Sequence, residues 1–258
     1  MTTLEAQLAN CRDYWLGWGW TDRTDDDISW YRSGVPQRQL NGVLRADDGD
    51  QVDAHVGQLT DRLGDVPWMW WVGPDSGPDV ADRLTAHGAE VVGASPIMTM
   101  PLDQPLTADL PPDVTIEPVG ADGPIAEWVS VYSHSFGIPD TAVDDALRIE
   151  TERVDAVPLV RVAATVDGRI IGTALLFTAH DVAGIYVVST LPEQRGRGIG
   201  AAVTAGALEI AREQGLQDAT LQASPLGAPV YRRMGFETIG EYRMYQVPAA
   251  QAVSGRPR

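Results

Sequence analysis

Val187-Val188-Ser189-Thr190-Leu191-Pro192-Glu193-Gln194-Arg195-Gly196-Arg197-Gly198-Ile199-Gly200-Ala201 runs from a β-branched, strand-forming segment through a glycine-rich loop into a segment of helical composition. Residues without Cβ let several backbone N–H groups converge on one anion at a helix N-terminus, where unpaired donors and the helix dipole both favour negative charge. Arg195 and Arg197 add positive charge in an otherwise strongly acidic chain. The stretch therefore reads as a cradle for a phosphate-bearing ligand.

The flanking periodicities place this loop in a fold. Asp167-Gly168 supplies the positive φ of a two-residue hairpin turn between strands predicted at 159–166 and 170–178, and His180-Asp181 leads into a third strand at 182–190. After the loop come a helix at 199–214 with Gly215 as its left-handed cap, a strand at 219–223 and a helix at 228–234, then paired strands around 236–239 and 242–247. Before the hairpin, a short strand is expected at 114–118, with helices at 124–136 and 142–154. This order predicts an α/β (α+β) fold on a mixed, mostly antiparallel sheet flanked by helices.

Gly196-Arg197-Gly198-Ile199-Gly200-Ala201 also meets the loose dinucleotide pattern G-x-G-x-x-G/A, the basis of a rival nucleotide-dependent oxidoreductase reading. In that fold the loop follows the first strand directly; here Pro192-Glu193-Gln194-Arg195 intervenes and several strands come earlier. The triphosphate loop G-x-x-x-x-G-K-[ST] is excluded, because the chain has no Lys. A second motif, Ala228-Pro229-Val230-Tyr231-Arg232-Arg233-Met234-Gly235-Phe236, follows one helix and one strand later. Together the two resemble the GNAT superfamily of acetyl-CoA-dependent N-acetyltransferases: Arg195 to Gly200 match its R/Q-x-x-G-x-G/A motif, and Tyr231 to Phe236 its late helix and Gly-Phe.

The resemblance implies direct transfer of an acetyl group from acetyl-CoA to the amine of a small molecule or peptide through a tetrahedral intermediate, releasing coenzyme A. It puts Val188, Ser189 and Thr190 against the pantetheine arm and thioester oxygen. Arg195, Gly196, Arg197, Gly198, Ile199, Gly200 and Ala201 fall at the pyrophosphate, and Ser224 where many members have a cofactor-binding Asn. Tyr231 takes the place of the acid that protonates the leaving thiolate. Ala219 falls where some protein-acetylating members carry a catalytic Glu, so the resemblance leaves His134, Glu150, Glu152 or a water as the candidates for the base. Without a base, a non-catalytic acetyl-CoA-binding or partner-binding module is the alternative.

The chain has 258 residues, with 36 Asp plus Glu against 19 basic residues, all Arg, for a net charge of -17. That balance argues against nucleic acid and anionic membranes as partners, and a field of this sign favours a cationic acceptor. One cysteine, Cys11, and an opening without a basic or apolar leader predict a cytoplasmic location; the four scattered histidines predict no metal site. Nothing fixes an oligomeric state.

The Pro- and Asp-rich stretch at 101–112 reads as a linker, dividing residues 1–105 from a catalytic domain at 113–248. Leu84 to Pro101 set against Tyr231 to Pro248 gives a repeat at a constant offset: Gly88, Glu90, Gly93 and Pro101 fall on Gly235, Glu237, Gly240 and Pro248. The amino-terminal half therefore reads as a second, partial and degenerate GNAT-like domain. Leu84 replaces Tyr231 there, and Asp47, Asp48 and Asp50 would repel a pyrophosphate before the helix at 52–63. Seven of the eight tryptophans lie in this half, either as core or as a wall of the acceptor pocket.

Overall fold

The computed structural model describes residues 2–20, 22–103, 110–153 and 159–248. Residues 104–109, half of the linker read at 101–112, lie outside them. The first half contributes α1 (Leu4–Trp18), β1 (Arg23–Asp25), β2 (Ile28–Arg32), β3 (Asn41–Ala46), α2 (Gly49–Leu63), β4 (Met69–Val72), α3 (Val80–Ala86) and β5 (Glu90–Pro101). The second contributes β6 (Thr115–Val119), α4 (Ile125–Phe136), α5 (Val143–Glu152), β7 (Leu159–Val166), β8 (Arg169–Ala179), β9 (Val182–Thr190), α6 (Ile199–Glu213), β10 (Asp218–Gln222), α7 (Ala228–Met234) and β11 (Glu237–Gln246).

Local chemistry sets these boundaries. Asp167 (φ 51°) and Gly168 (φ 77°) form the β7–β8 turn, and His180 and Asp181 (φ 55° and 58°) the β8–β9 turn, each with the two left-handed residues that a tight hairpin needs. Thr3 caps α1 by accepting from the Ala6 N–H at 3.2 Å, and Gly215 ends the α6 segment at φ 84°.

All eleven strands join one sheet in the order β1-β2-β3-β4-β11-β5-β10-β9-β8-β7-β6. Only β3 with β4 and β9 with β10 pair in parallel, so the sheet is mixed and mostly antiparallel, flanked by helices. Each half has its last strand in the other: β5 pairs with β10, and β11 with β4. β5 and β11 also pair with each other. Their register follows the sequence repeat, whose offset is that from Gly88 to Gly235. Shifting both members of the pair Glu90–Gln246 by this offset gives the pair Glu237–Thr99, and Gly93–Met244 gives Gly240–Ile97. Ser95–Tyr242 maps onto itself, so a local pseudo-twofold axis passes between them.

The exchange interlocks the cores. Tyr245 and Val247, from the carboxy-terminal end, pack among Val43, Val52, Leu63 and Leu84 of the first half, while Ile97, Met98 and Met100 join the core of the second. Residues 236–247 do not form the paired strands expected from the sequence. They make one strand, in which Ile239 is an extra residue beside Gly240, and Val92 is its repeat-related counterpart in β5. A glycine in a strand marks a bulge as readily as a turn.

Candidate functional site

β9 and β10 pair only at Ala183 and its two neighbours, Val182 and Gly184, and then diverge. Beyond Gly184 the β10-facing edge of β9 has no strand partner among the described residues, leaving main-chain groups open to an extended ligand. The cause of the divergence is visible in β9 itself: its register against β8 shifts between Tyr186 and Ser189, and Val187 sits at φ 43°. A β-branched residue pays roughly 1–3 kcal/mol for that conformation. Asn10 of α1, fully buried, supports the splay from behind: its amide donates to the Phe177, Ala179 and Val182 carbonyls and its oxygen accepts from the Tyr186 hydroxyl at 2.7 Å.

A cleft of about 380 Å³ opens at this splay. Ile185 to Val188 form its floor, Tyr231 and Ser224 one side, and Ser135 and Phe136 of α4 another. The first half supplies Gln37, Arg38, Gln39, Met69 and Val92, which the sequence reading did not single out. Tyr231 is buried, its ring edge-on to Phe236 at 5.8 Å. Burial pushes its phenol well above the ordinary tyrosine value, with the Thr204 side chain beside it working the other way. Ser224 accepts from the Gly227 N–H at 3.1 Å, which ties its hydroxyl to its own loop.

Past Thr190 the chain turns into the glycine loop. Gly196 and Gly198 take φ 78° and 79°, and Gly198 caps α6 without any side-chain bond. The first α6 bond starts at Ala202, which donates to the Gly198 carbonyl. None of the six N–H groups from Gly196 to Ala201 has a protein acceptor among the described residues. Such a row of free donors at the start of a 15-residue helix fits a pyrophosphate. Arg195 has no carboxylate partner among the described residues, whereas Arg197 pairs with Asp113 at 2.6 Å and holds that carboxyl below its usual range. Ser189 turns its side chain away, bonding Ser135 Oγ at 2.6 Å and the Val131 carbonyl at 3.2 Å. Val188 lines the cleft instead.

The corresponding helix start in the first half is already filled. Asp48 accepts from the Gln51 N–H at 3.0 Å, and Asp79 from the Gly49 N–H at 2.9 Å. These carboxylates occupy the donors that a phosphate would need. Titration is expected to give one acetyl-CoA per chain by calorimetry; two equivalent sites would overturn this.

The base candidates lie elsewhere. Glu150 is buried in an ion pair with Arg161 at 2.8 Å, Glu152 sits 3.8 Å from Arg148 at the surface, and His134 is exposed; none lines the cleft. Nor do the tryptophans line it: Trp15, Trp18, Trp68, Trp70 and Trp71 are core. Among the described residues no group of His, Cys, Asp and Glu could hold a metal ion, and no helix is long and apolar enough to cross a membrane.

Residues 125–236, which contain the splayed strand, the free-donor loop and the Tyr231 helix, match the family model of the acetyltransferase (GNAT) family. The chain carries a GNAT domain. GNAT acetyltransferases use acetyl-CoA, and the loop just described fits that donor's pyrophosphate. The chain is 28% identical over 221 residues to the mycothiol acetyltransferase of Pseudarthrobacter chlorophenolicus, spanning 80% of this chain and 67% of that protein. With the mycothiol acetyltransferase of Saccharomonospora viridis it shares 38% identity over 66 residues, 24% of this chain and only 22% of the relative. A GCN5-related N-acetyltransferase from Kribbella flavida has a TM-score of 0.72 at 20% identity, covering 99% of this chain and 100% of that one. A tandem GNAT protein from the clavulanic acid biosynthesis pathway has a TM-score of 0.59 at 12% identity, covering 97% of each chain. The two solved structures share the GNAT fold with this chain, and the second is itself tandem.

Proposed function

We propose that residues 113–248 catalyse acetyl transfer from acetyl-CoA to the amine of a small molecule or peptide by direct attack, and that residues 1–105 are a degenerate GNAT-like domain that walls the acceptor side of the cleft. The observation that carries this reading is the continuity of the free donors at Gly196–Ala201 with the open edge of β9 and the cleft at Tyr231. Bound there, acetyl-CoA supplies the activated acetyl group. The main chain from Gly196 to Ala201, with Arg195, holds its pyrophosphate, and the β9 edge at Val188 to Thr190 aligns its arm and offers N–H groups to the thioester oxygen. A donor so placed is typically worth a few kcal/mol in the transition state. Tyr231 holds a proton beside the departing thiolate, and its burial keeps the phenol protonated throughout the physiological range.

Thiol release with acetyl-CoA across an amine panel tests the reading. The mycothiol acetyltransferase relatives put mycothiol-related amines on that panel. Cofactor binding without thiol release from any amine would favour the second reading, a non-catalytic acetyl-CoA-binding module, which has one observation behind it: among the described residues no carboxylate or histidine lines the cleft. If transfer does occur, the same observation leaves the acceptor to lose its proton to water. The expected kcat/KM then rises about tenfold per pH unit up to the acceptor's own amine pKa, and the break moves when a less basic amine is used. A break fixed across acceptors would reveal a base on the protein instead.

A further inference from the structure

Among the described residues, Arg38 is the one charged residue lining the cleft and no acid lines it, although the chain has 36 acids and a net charge of -17. In the same half, Arg12, Arg32, Arg45, Arg62 and Arg83 each pair with an Asp, whereas Arg38 and Arg23 have no carboxylate partner among the described residues, and of these two only Arg38 lines the cleft. The cationic acceptor favoured by whole-chain charge therefore meets the opposite sign at the site itself. Net charge describes the surface, and the lining decides what binds.

The segment that presents Arg38 is built to hold still. Asn41, fully buried, organises it: the Asn41 Oδ1 accepts from the Ser33 N–H at 2.9 Å and the Gly34 N–H at 3.1 Å, and its amide donates to the carbonyls of Val35 (2.8 Å), Gln37 (3.1 Å) and Pro67 (3.1 Å). The Tyr31 hydroxyl donates to the Gln39 carbonyl, and the Gln37 amide reaches across to the Phe136 carbonyl at the end of α4 at 2.7 Å. The segment is thus tied both to its own half and to the opposite wall of the cleft. A side chain on a pre-organised backbone loses less freedom when it binds a ligand.

We infer that the acceptor is an amine bearing a carboxylate, which Arg38 holds, with Gln37 and Gln39 flanking it; the inference rests on the acetyltransferase reading of this cleft. One planar guanidinium matches one carboxylate in a two-point contact, and the volume of about 380 Å³ fits a small molecule. The test is calorimetry on the coenzyme A-loaded chain with L-amino acids and their carboxamides as paired probes, run beside thiol release from acetyl-CoA. The acids are expected to bind about tenfold or more tighter than their amides. Arg38→Gln should bring that ratio close to one, and Arg38→Lys should restore part of it. Arg38 is exposed, so these variants are expected to fold. Equal binding of acids and amides by the parent chain, or a preference that survives Arg38→Gln, overturns the inference. Discrimination in binding without thiol release from any amine leaves the carboxylate site standing and removes the acetyltransferase reading.

Discussion

Gly200→Asp is expected to fold as well as the parent chain and to lose acetyl-CoA binding by about 10²-fold or more in calorimetry. Gly200 lies in the first turn of α6 with ordinary helical backbone, and a Cβ there would meet nothing nearer than Thr190 Oγ1 at 3.7 Å. An acid in a first helical turn is favourable for the helix by itself. The same carboxylate would stand among the free donors from Gly196 to Ala201. At about 6 Å from one pyrophosphate charge and an effective dielectric near 20, its repulsion is ~3 kcal/mol. Helix stability and ligand affinity thus move in opposite directions, which a general loss of structure cannot imitate. Gly198→Asp should fail as well, but Gly198 sits at φ 79°, so strain contributes there and Gly200→Asp is the cleaner variant. Unchanged affinity in Gly200→Asp would remove the loop from the cofactor site.

The parts of this molecule that were legible in its sequence are those fixed by neighbouring residues. Asp167-Gly168 dictates a hairpin wherever it stands between two apolar alternating runs, and Gly196, Gly198 and Gly200 mark a donor-rich helix start because few other uses need that spacing. The exchange of β5 and β11 was not legible, because strand order is non-local: either strand satisfies the same alternation beside β10 or β4. Its trace was nonetheless present, since the offset linking Leu84–Pro101 to Tyr231–Pro248 is the one that the β5–β11 register obeys. Where paired strands at 236–239 and 242–247 were expected, Gly240 stands beside a bulge in one strand, because a bulge and a turn draw on the same residue. The left-handed Val187 could not be foreseen from a Val-Val pair of ordinary strand formers.

The cleft was half legible for the same reason. Tyr231 and the β9 edge lie within recognisable motifs, whereas Gln37 to Gln39 lie in a stretch of ordinary loop composition. That stretch gains its shape only from the buried amide of Asn41 and its reach to Phe136. Acidic composition, meanwhile, pointed away from Arg38. Charges spread over a whole surface act on approach, while one unpaired guanidinium at the cleft acts on binding, and the shorter distance wins.

Tyr231→Phe is expected to lower kcat by roughly 10²-fold or more while leaving acetyl-CoA affinity and folding in place. The ring keeps its edge-on packing against Phe236, and the change removes only the hydroxyl that faces Thr204. Loss should fall on kcat because the proton is needed only as the carbon–sulfur bond breaks. From sequence alone, ionisation of this phenol is expected to shape the alkaline limb of the pH–rate profile. Burial moves that limb: a phenol raised above the ordinary tyrosine pKa stays protonated to higher pH, so the parent enzyme should show no loss of this acid below about pH 10. Above that value the raised pKa values of Tyr231 and of the buried Tyr31, Tyr186 and Tyr242 act on stability as well. The folded chain then binds more protons than the unfolded one, and stability falls with rising pH. The comparison therefore belongs between about pH 6 and pH 9, where both proteins are folded and the parent phenol is intact. Over that window the ratio of the two kcat values should stay constant, because the Phe variant lacks the proton at every pH and the parent has it at every pH. Parental turnover by the Phe variant with every productive acceptor would return Tyr231 to the core as a packed ring and pass the proton to water.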